Sequence, residues 1–262
     1  MRAMIVLGVA FLASPLAAQQ LEAPATTQPP PAAEMGDIAA AKAALERMSG
    51  KLQALSTFEI VSESTSEEVF ADEEKLQFLN RVRYVVGGPD RFYASVRSDR
   101  QWRRYYYDGS GVTIVAPRSG YYATAPLTGS TVSILNSLVE DYGIEMPLID
   151  LFLWQSREET MPEIKDAFLV GFAQIDEHPT DQWFYRVDGA DVQLWIGRND
   201  ALPHRLVITN TDDVAQPQYV ASITWNLEPE IGGSRFTFIP SETNTPIPIT
   251  PKNRQLVNSQ GE

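Results

Sequence analysis

The sequence predicts a mainly β (α+β) protein: a curled antiparallel sheet of about eleven strands forming a half-open barrel, with an N-terminal helix and a central helical insertion against the concave face. Three observations carry this expectation. From Thr57 onward, apolar residues recur with a period of two in short runs separated by Gly, Asp and Pro turns, which is the pattern of a meander and not of βαβ units. A single stripe with helical spacing precedes those runs, and two helical pieces interrupt them. A sheet of this many antiparallel strands must curl or split, and helices can then fill its concave side.

The first element is the stripe Ile38, Ala41, Leu45, Met48, Leu52 and Leu55, with Asp37 as its N-cap and Lys42, Glu46, Arg47 and Lys51 on the opposite face. It is too short for a coiled coil. Strands follow around Phe58 and Ile60, then Leu76 to Val86, Phe92 to Val96, Gln101 to Asp108, Val112 to Val115 and Gly120 to Thr124. Thr131 to Tyr142 reads as a helix ending at Gly143. Pro147 to Trp154 is apolar nearly all round, with Asp150 as its only charge. A second set of strands runs through Phe168 to Phe172, Trp183 to Val187, Val192 to Ile196, Leu206 to Ile208 and Tyr219 to Trp225. Phe236 and Phe238 close the series as a last strand.

The ends bound the compartment. Arg2, the apolar run Ile5 to Leu12, the break at Ser14 and Pro15, and Leu16-Ala17-Ala18 before Gln19 form the layout of a cleaved secretory signal. Cleavage is expected after Ala18. The apolar run falls short of the ~20 residues that a membrane-spanning helix needs. Residues 1–18 are therefore read as signal, 19–35 as a Pro/Ala/Gln-rich tether, 36–248 as the folded domain and 249–262 as a flexible tail. The expected location is the periplasm, with no transmembrane segment in the mature chain.

The chain has no cysteine, hence neither a disulfide nor an acylated cysteine. Its net charge of −13 repels nucleic acid and anionic surfaces and argues against a nucleic-acid partner.

Several of these segments also carry a resemblance. Arg104 to Gly109 (Arg-Tyr-Tyr-Tyr-Asp-Gly) followed by Val112-Thr113-Ile114 resembles the "YDG-x-x-vT" hairpin of a family of predicted periplasmic proteins catalogued as domain of unknown function 2092. Pro89-Asp90-Arg91, Glu145 to Leu151, Gln193 to Ile196, Leu202-Pro203 with Leu206 to Thr209, and Trp225-Asn226-Leu227 are similar to its other blocks, in order. The Leu-Trp-Ile strand, the Leu-Pro turn and the late Phe-Thr-Phe segment are in turn similar to the wider superfamily of outer-membrane lipoprotein carriers of the LolA and LppX type. That resemblance implies a curled sheet with helices on its concave face and an apolar cavity for acyl chains. It implies no catalytic residues.

The chemistry-bearing residues are few. His178 and His204 read as separate turn residues next to prolines. Gly109-Ser110-Gly111 lacks the spacing of a nucleophile elbow and suits a hairpin. The acidic clusters Glu67-Glu68, Asp72-Glu73-Glu74 and Glu158-Glu159 read as solvated connections without the alternation of a calcium loop. Neither a metal nor a cofactor is expected, and no enzyme activity.

Arg97, Arg100, Arg103 and Arg104 lie beside Trp102 and Tyr105 to Tyr107, where Arg103 and Arg104 are candidates for an acidic head group. Candidate cavity and lid residues are Phe58, Ile60, Phe78, Phe92, Val96, Tyr106, Leu151, Phe152, Trp154 and Leu194. The function that follows is non-enzymatic binding or carriage of a lipid, acyl chain or lipidated partner in a half-barrel cavity. The alternative is an envelope regulatory or scaffold module that holds a protein or peptide on the same surface.

Overall fold

The structure, a computed structural model, describes residues 38–70, 74–144, 146–149, 151 and 163–252. Helix α1 (Ile38–Ala54) leads into β1 (Thr57–Val69), β2 (Lys75–Gly87), β3 (Phe92–Ser98), β4 (Trp102–Tyr107), β5 (Val112–Ala116) and β6 (Tyr121–Ala125). Helix α2 (Thr131–Glu140) separates this meander from a second one: β7 (Asp166–Ile175), β8 (His178–Val187), β9 (Ala190–Gly197), β10 (Pro203–Asn210) and β11 (Gln218–Asn226). A two-residue strand, β12 (Thr245–Pro246), lies parallel to β6.

The twelve strands form one open, curled sheet in the order β12-β6-β5-β4-β3-β2-β1-β11-β10-β9-β8-β7. Every pair other than β12–β6 is antiparallel. The two meanders are joined by the pairing of β1 with β11, from Glu59 opposite Asn226 to Ser66 opposite Tyr219.

Alternation fixes the two faces. One cross-strand row on the concave face runs Phe58, Val86, Phe92, Tyr107, Val112, Ala125, and the next runs Ile60, Tyr84, Ala94, Tyr105, Ile114, Ala123. Beyond β11 this face continues with Leu206, Leu194 and Trp183. Helix α1 buries Ala41, Ala44, Leu45, Met48 and Leu52 in the same core, and α2 buries Ile134, Leu135 and Leu138. Each buried leucine is worth ~1.5–3 kcal/mol by area, so the two helices hold to the sheet mainly through these stripes.

Local chemistry sets the ends of α2. The Ser130 hydroxyl accepts from the Ser133 N–H at 3.2 Å as an N-cap. At the other end Gly143 takes φ +68° and its N–H donates to the Val139 carbonyl at 3.1 Å, a left-handed C-terminal cap. The chain after β12 completes it: the Lys252 ammonium donates to the Val139 carbonyl at 3.2 Å and the Lys252 N–H to the Asp141 carbonyl at 2.7 Å. Lys252, expected in a loose tail, is thus fastened to the C-terminal end of α2.

Phe236 and Phe238 do not form a strand. Phe236 packs with Val85 and Tyr93 on the convex face, and Phe238 lies 5.5 Å from Tyr106 and 5.2 Å from Tyr122 between ring centroids. Their alternation comes from covering outer-face aromatics. Of the apolar insertion, Leu148, Ile149 and Leu151 are buried in the main core, and Leu148 takes φ +62°. Phe152 and Trp154 lie outside the described residues, as do Asp37, Ala18 and the whole of 1–37.

Candidate functional site

Three phenols bolt the covering segments to the concave face. The Tyr84 hydroxyl donates to the Pro147 carbonyl at 2.6 Å, Tyr107 to the Gly129 carbonyl at 2.6 Å, and Tyr185 to the Ala41 carbonyl at 3.1 Å. Buried carbonyls need such partners. Phe58, Ile60, Phe92, Val96, Leu151 and Leu194 are buried in the main core, each 5 % exposed or less.

The open space lies to one side. A cleft of about 720 Å³ runs between the concave side of β4–β6, the chain after α2 and the chain after β12. Tyr105, Ile114 and Ala123 form its floor, Gly143 and Ile144 one wall, and Ile247, Pro248 and Ile249 the other. The outer wall is held by β12, where the Ile247 N–H donates to the Tyr122 carbonyl at 2.8 Å. Arg103 is the one cation among the described lining residues. Its guanidinium donates to the Trp102 carbonyl at 3.1 Å. Burial pushes the Tyr105 phenol beside it up to about 12, with Arg103 pulling the other way. Its lining mixes apolar side chains with Gln101, Ser119, tyrosine hydroxyls and the Arg103 cation, a combination that suits a small amphiphile.

The remaining sequence candidates divide by parity. Tyr106 and Arg104 point to the convex face, opposite Arg103 and Tyr105. Tyr106 packs with the Tyr93 ring at 5.2 Å between centroids, and Arg104 lies 4.5 Å from the Trp102 ring. Burial raises the Tyr106 phenol, as does Tyr93, against a hydrogen bond from Arg104. Phe78 is half-buried at the far end of β2, under the Arg100 guanidinium at 3.7 Å. Arg100 itself pairs with Glu68 at 2.8 Å. Glu67 and Glu68 belong to β1, not to a connection.

A second cleft, of about 610 Å³, lies over β1–β3 and β11. It is lined by Ser64, Asn80 and Ser98 with Arg81, Arg97 and Arg118.

The histidines depart furthest from expectation. His178 opens β8 and His204 lies in β10, and their rings stack at 4.0 Å with planes 20° apart. His204 is buried, and its Nε2 lies 3.0 Å from Asp200 Oδ2; His178 Nδ1 lies 3.7 Å from the same oxygen. Burial pulls the His204 imidazole below its ordinary value, against Asp200. Strand order β10-β9-β8 brings these residues together. Proline neighbours gave no sign of that.

A model of predicted periplasmic proteins matches residues 41–250. The chain belongs to this family, domain of unknown function 2092. No curated protein matches this member.

Solved structures similar to this member of the family include LprF from Mycobacterium bovis, with 13% identity over 76% of this chain and 99% of that one, at a TM-score of 0.46. A LolA superfamily protein from Nitrosomonas europaea aligns with 10% identity over 76% and 97%, at 0.32. MucB, in a complex with MucA from Pseudomonas aeruginosa, aligns with 13% identity over 76% and 63%, at 0.34. Among the described residues, no helix is long and apolar enough to cross a membrane.

Proposed function

We propose that this protein works in the periplasm, after export on a signal cleaved at Ala18, as a non-enzymatic carrier of an acyl chain, a lipid or a lipidated partner. The observation that supports it is the cleft: a floor of Tyr105, Ile114 and Ala123, apolar walls of Ile144, Ile247 and Ile249, and the Arg103 cation within it. The chain of an amphiphile lies along the floor and its anionic head meets Arg103. None of the described lining residues is His, Asp, Glu or Cys, so none of these side chains offers the usual general base. The insertion, through Leu148, Ile149 and Leu151, adds to the cover of the concave face in this reading.

Titration with a fluorescent fatty-acid analogue tests it. Saturable binding that weakens about tenfold, ~1.4 kcal/mol, in Arg103→Glu and in Ile247→Glu supports the carrier. Equal binding by all three proteins rejects the cleft.

One observation favours a second reading, a module that holds an extended peptide. β7 is an edge strand, and among the described residues nothing pairs with its outer side. It exposes Leu169, Val170 and Phe172. Such an edge is a template for strand addition. Loss of partner capture in Val170→Lys, with fatty-acid binding intact, would favour this module.

A further inference from the structure

We propose that His178, Asp200 and His204 form a binding site for one divalent transition-metal ion of the zinc class, sharing no residue with the described lining of the cleft and serving as a clip between the β7–β8 and β9–β10 turns. The donor atoms all lie within 4.8 Å of one another. A single zinc ion held at about 2.0–2.2 Å by nitrogen and oxygen donors spans a set of this size after a small closure. Two of the three ligands are already placed. His204 is 2 % exposed and fixed in β10. Asp200 uses Oδ1 to accept the Leu202 N–H at 3.0 Å, which leaves Oδ2 facing both imidazoles. His178 is exposed and can rotate to close the site.

The surrounding backbone keeps this space open. Gly197 ends β9 against the cluster, where a Cβ would collide with the Asp200 carboxylate and stand 3.0 Å from His204 Nε2. The Arg198 N–H donates to the Pro179 carbonyl at 2.9 Å and ties the two turns together. Ala201 takes φ +57° to bring the chain round behind Asp200.

A simple ion pair explains the arrangement less well. Both of the chain's histidines face one carboxylate oxygen, and two imidazoliums stacked at 4.0 Å would repel. A cation between the three donors satisfies all of them. Two imidazoles and one carboxylate leave a fourth position for water, and the set favours zinc or copper over magnesium or calcium. The net charge of −13 draws cations to the surface.

The test is calorimetric titration of the full chain, stripped with chelator, with Zn²⁺, alongside Co²⁺ absorption spectra and melting curves. The expected result is one ion per chain, a Co²⁺ spectrum of low coordination number, and a melting temperature that rises with Zn²⁺. His178→Ala, at an exposed position, should keep its fold and weaken binding by more than the about 10–100-fold that loss of an outer-shell partner costs. Asp200→Asn should do likewise, and neither variant should gain stability from Zn²⁺. Absence of binding, or binding unchanged in His178→Ala, overturns the proposal. Intact fatty-acid binding in His178→Ala keeps this outcome separate from that of the cleft.

Discussion

The Tyr84 phenol donates a 2.6 Å hydrogen bond to the carbonyl oxygen of Pro147. Tyr84 stands in the concave row between Ile60 and Ala94, and Pro147 opens the insertion. One bond therefore connects the middle of the sheet to the start of the segment that covers it. Tyr84→Phe keeps the ring and removes the donor, leaving a carbonyl without its partner at a cost of about 1–3 kcal/mol. Urea denaturation measures this directly. Wild-type stability in Tyr84→Phe would mean that the insertion is not fastened here.

Leu151 tests the same segment by packing. It is 4 % exposed within the main core. Leu151→Ala should cost ~2–5 kcal/mol through lost contact and the cavity left behind. A loss well below that, together with faster release of a fatty-acid probe, would make the segment a loosely held lid.

Helix α1 is expected to be indispensable. Leu45 and Leu52 are each 3 % exposed, and aspartate at either site would bury an unpaired charge. Leu45→Asp or Leu52→Asp should cost more than about 4 kcal/mol or prevent folding. Either mutant melting like the wild type would place the helix off the sheet.

The Tyr105 phenol gives a pH dependence of known sign. Burial raises it from 10.0 to about 12, so the folded state prefers the neutral phenol. Its contribution is complete below pH 10 and is lost as pH rises towards 12. At about 1.36 kcal/mol per unit, that window is worth roughly 3 kcal/mol. Phenolate absorbance against pH should show a late-titrating tyrosine that moves later still in Arg103→Gln. An unmoved titration would separate Arg103 from the cleft floor.

Much of this fold was legible because it is periodic. The stripe Ala41, Leu45, Met48, Leu52 and the alternation through Phe58 and Ile60 each declare a buried face by spacing alone. Gly143 marks the end of α2 by chemistry that acts within one turn, whereas the Ser130 cap was shown only by the structure.

The site was less legible. Tyr105, Tyr106 and Tyr107 are consecutive, so their sequence gives no parity; register with Ala94 and Ile114 decides which ones face inward. That register also separates Arg103 from Arg104. Phe58, Phe92 and Leu194 read as cavity lining, and each lies buried in the main core together with residues of both helices. Phe236 and Phe238 alternate like a strand because they cover aromatics on the convex face. His178 and His204 meet only through the pairing of β8, β9 and β10, a long-range contact with no local signature.

The most direct test of the carrier reading is native mass spectrometry of the protein isolated from its own cell envelope without detergent. The account predicts a co-purifying acyl-lipid mass in the wild type that is lost or sharply reduced in Arg103→Glu and Ile247→Glu. A wild type that flies empty, or the same lipid occupancy in all three proteins, would contradict it.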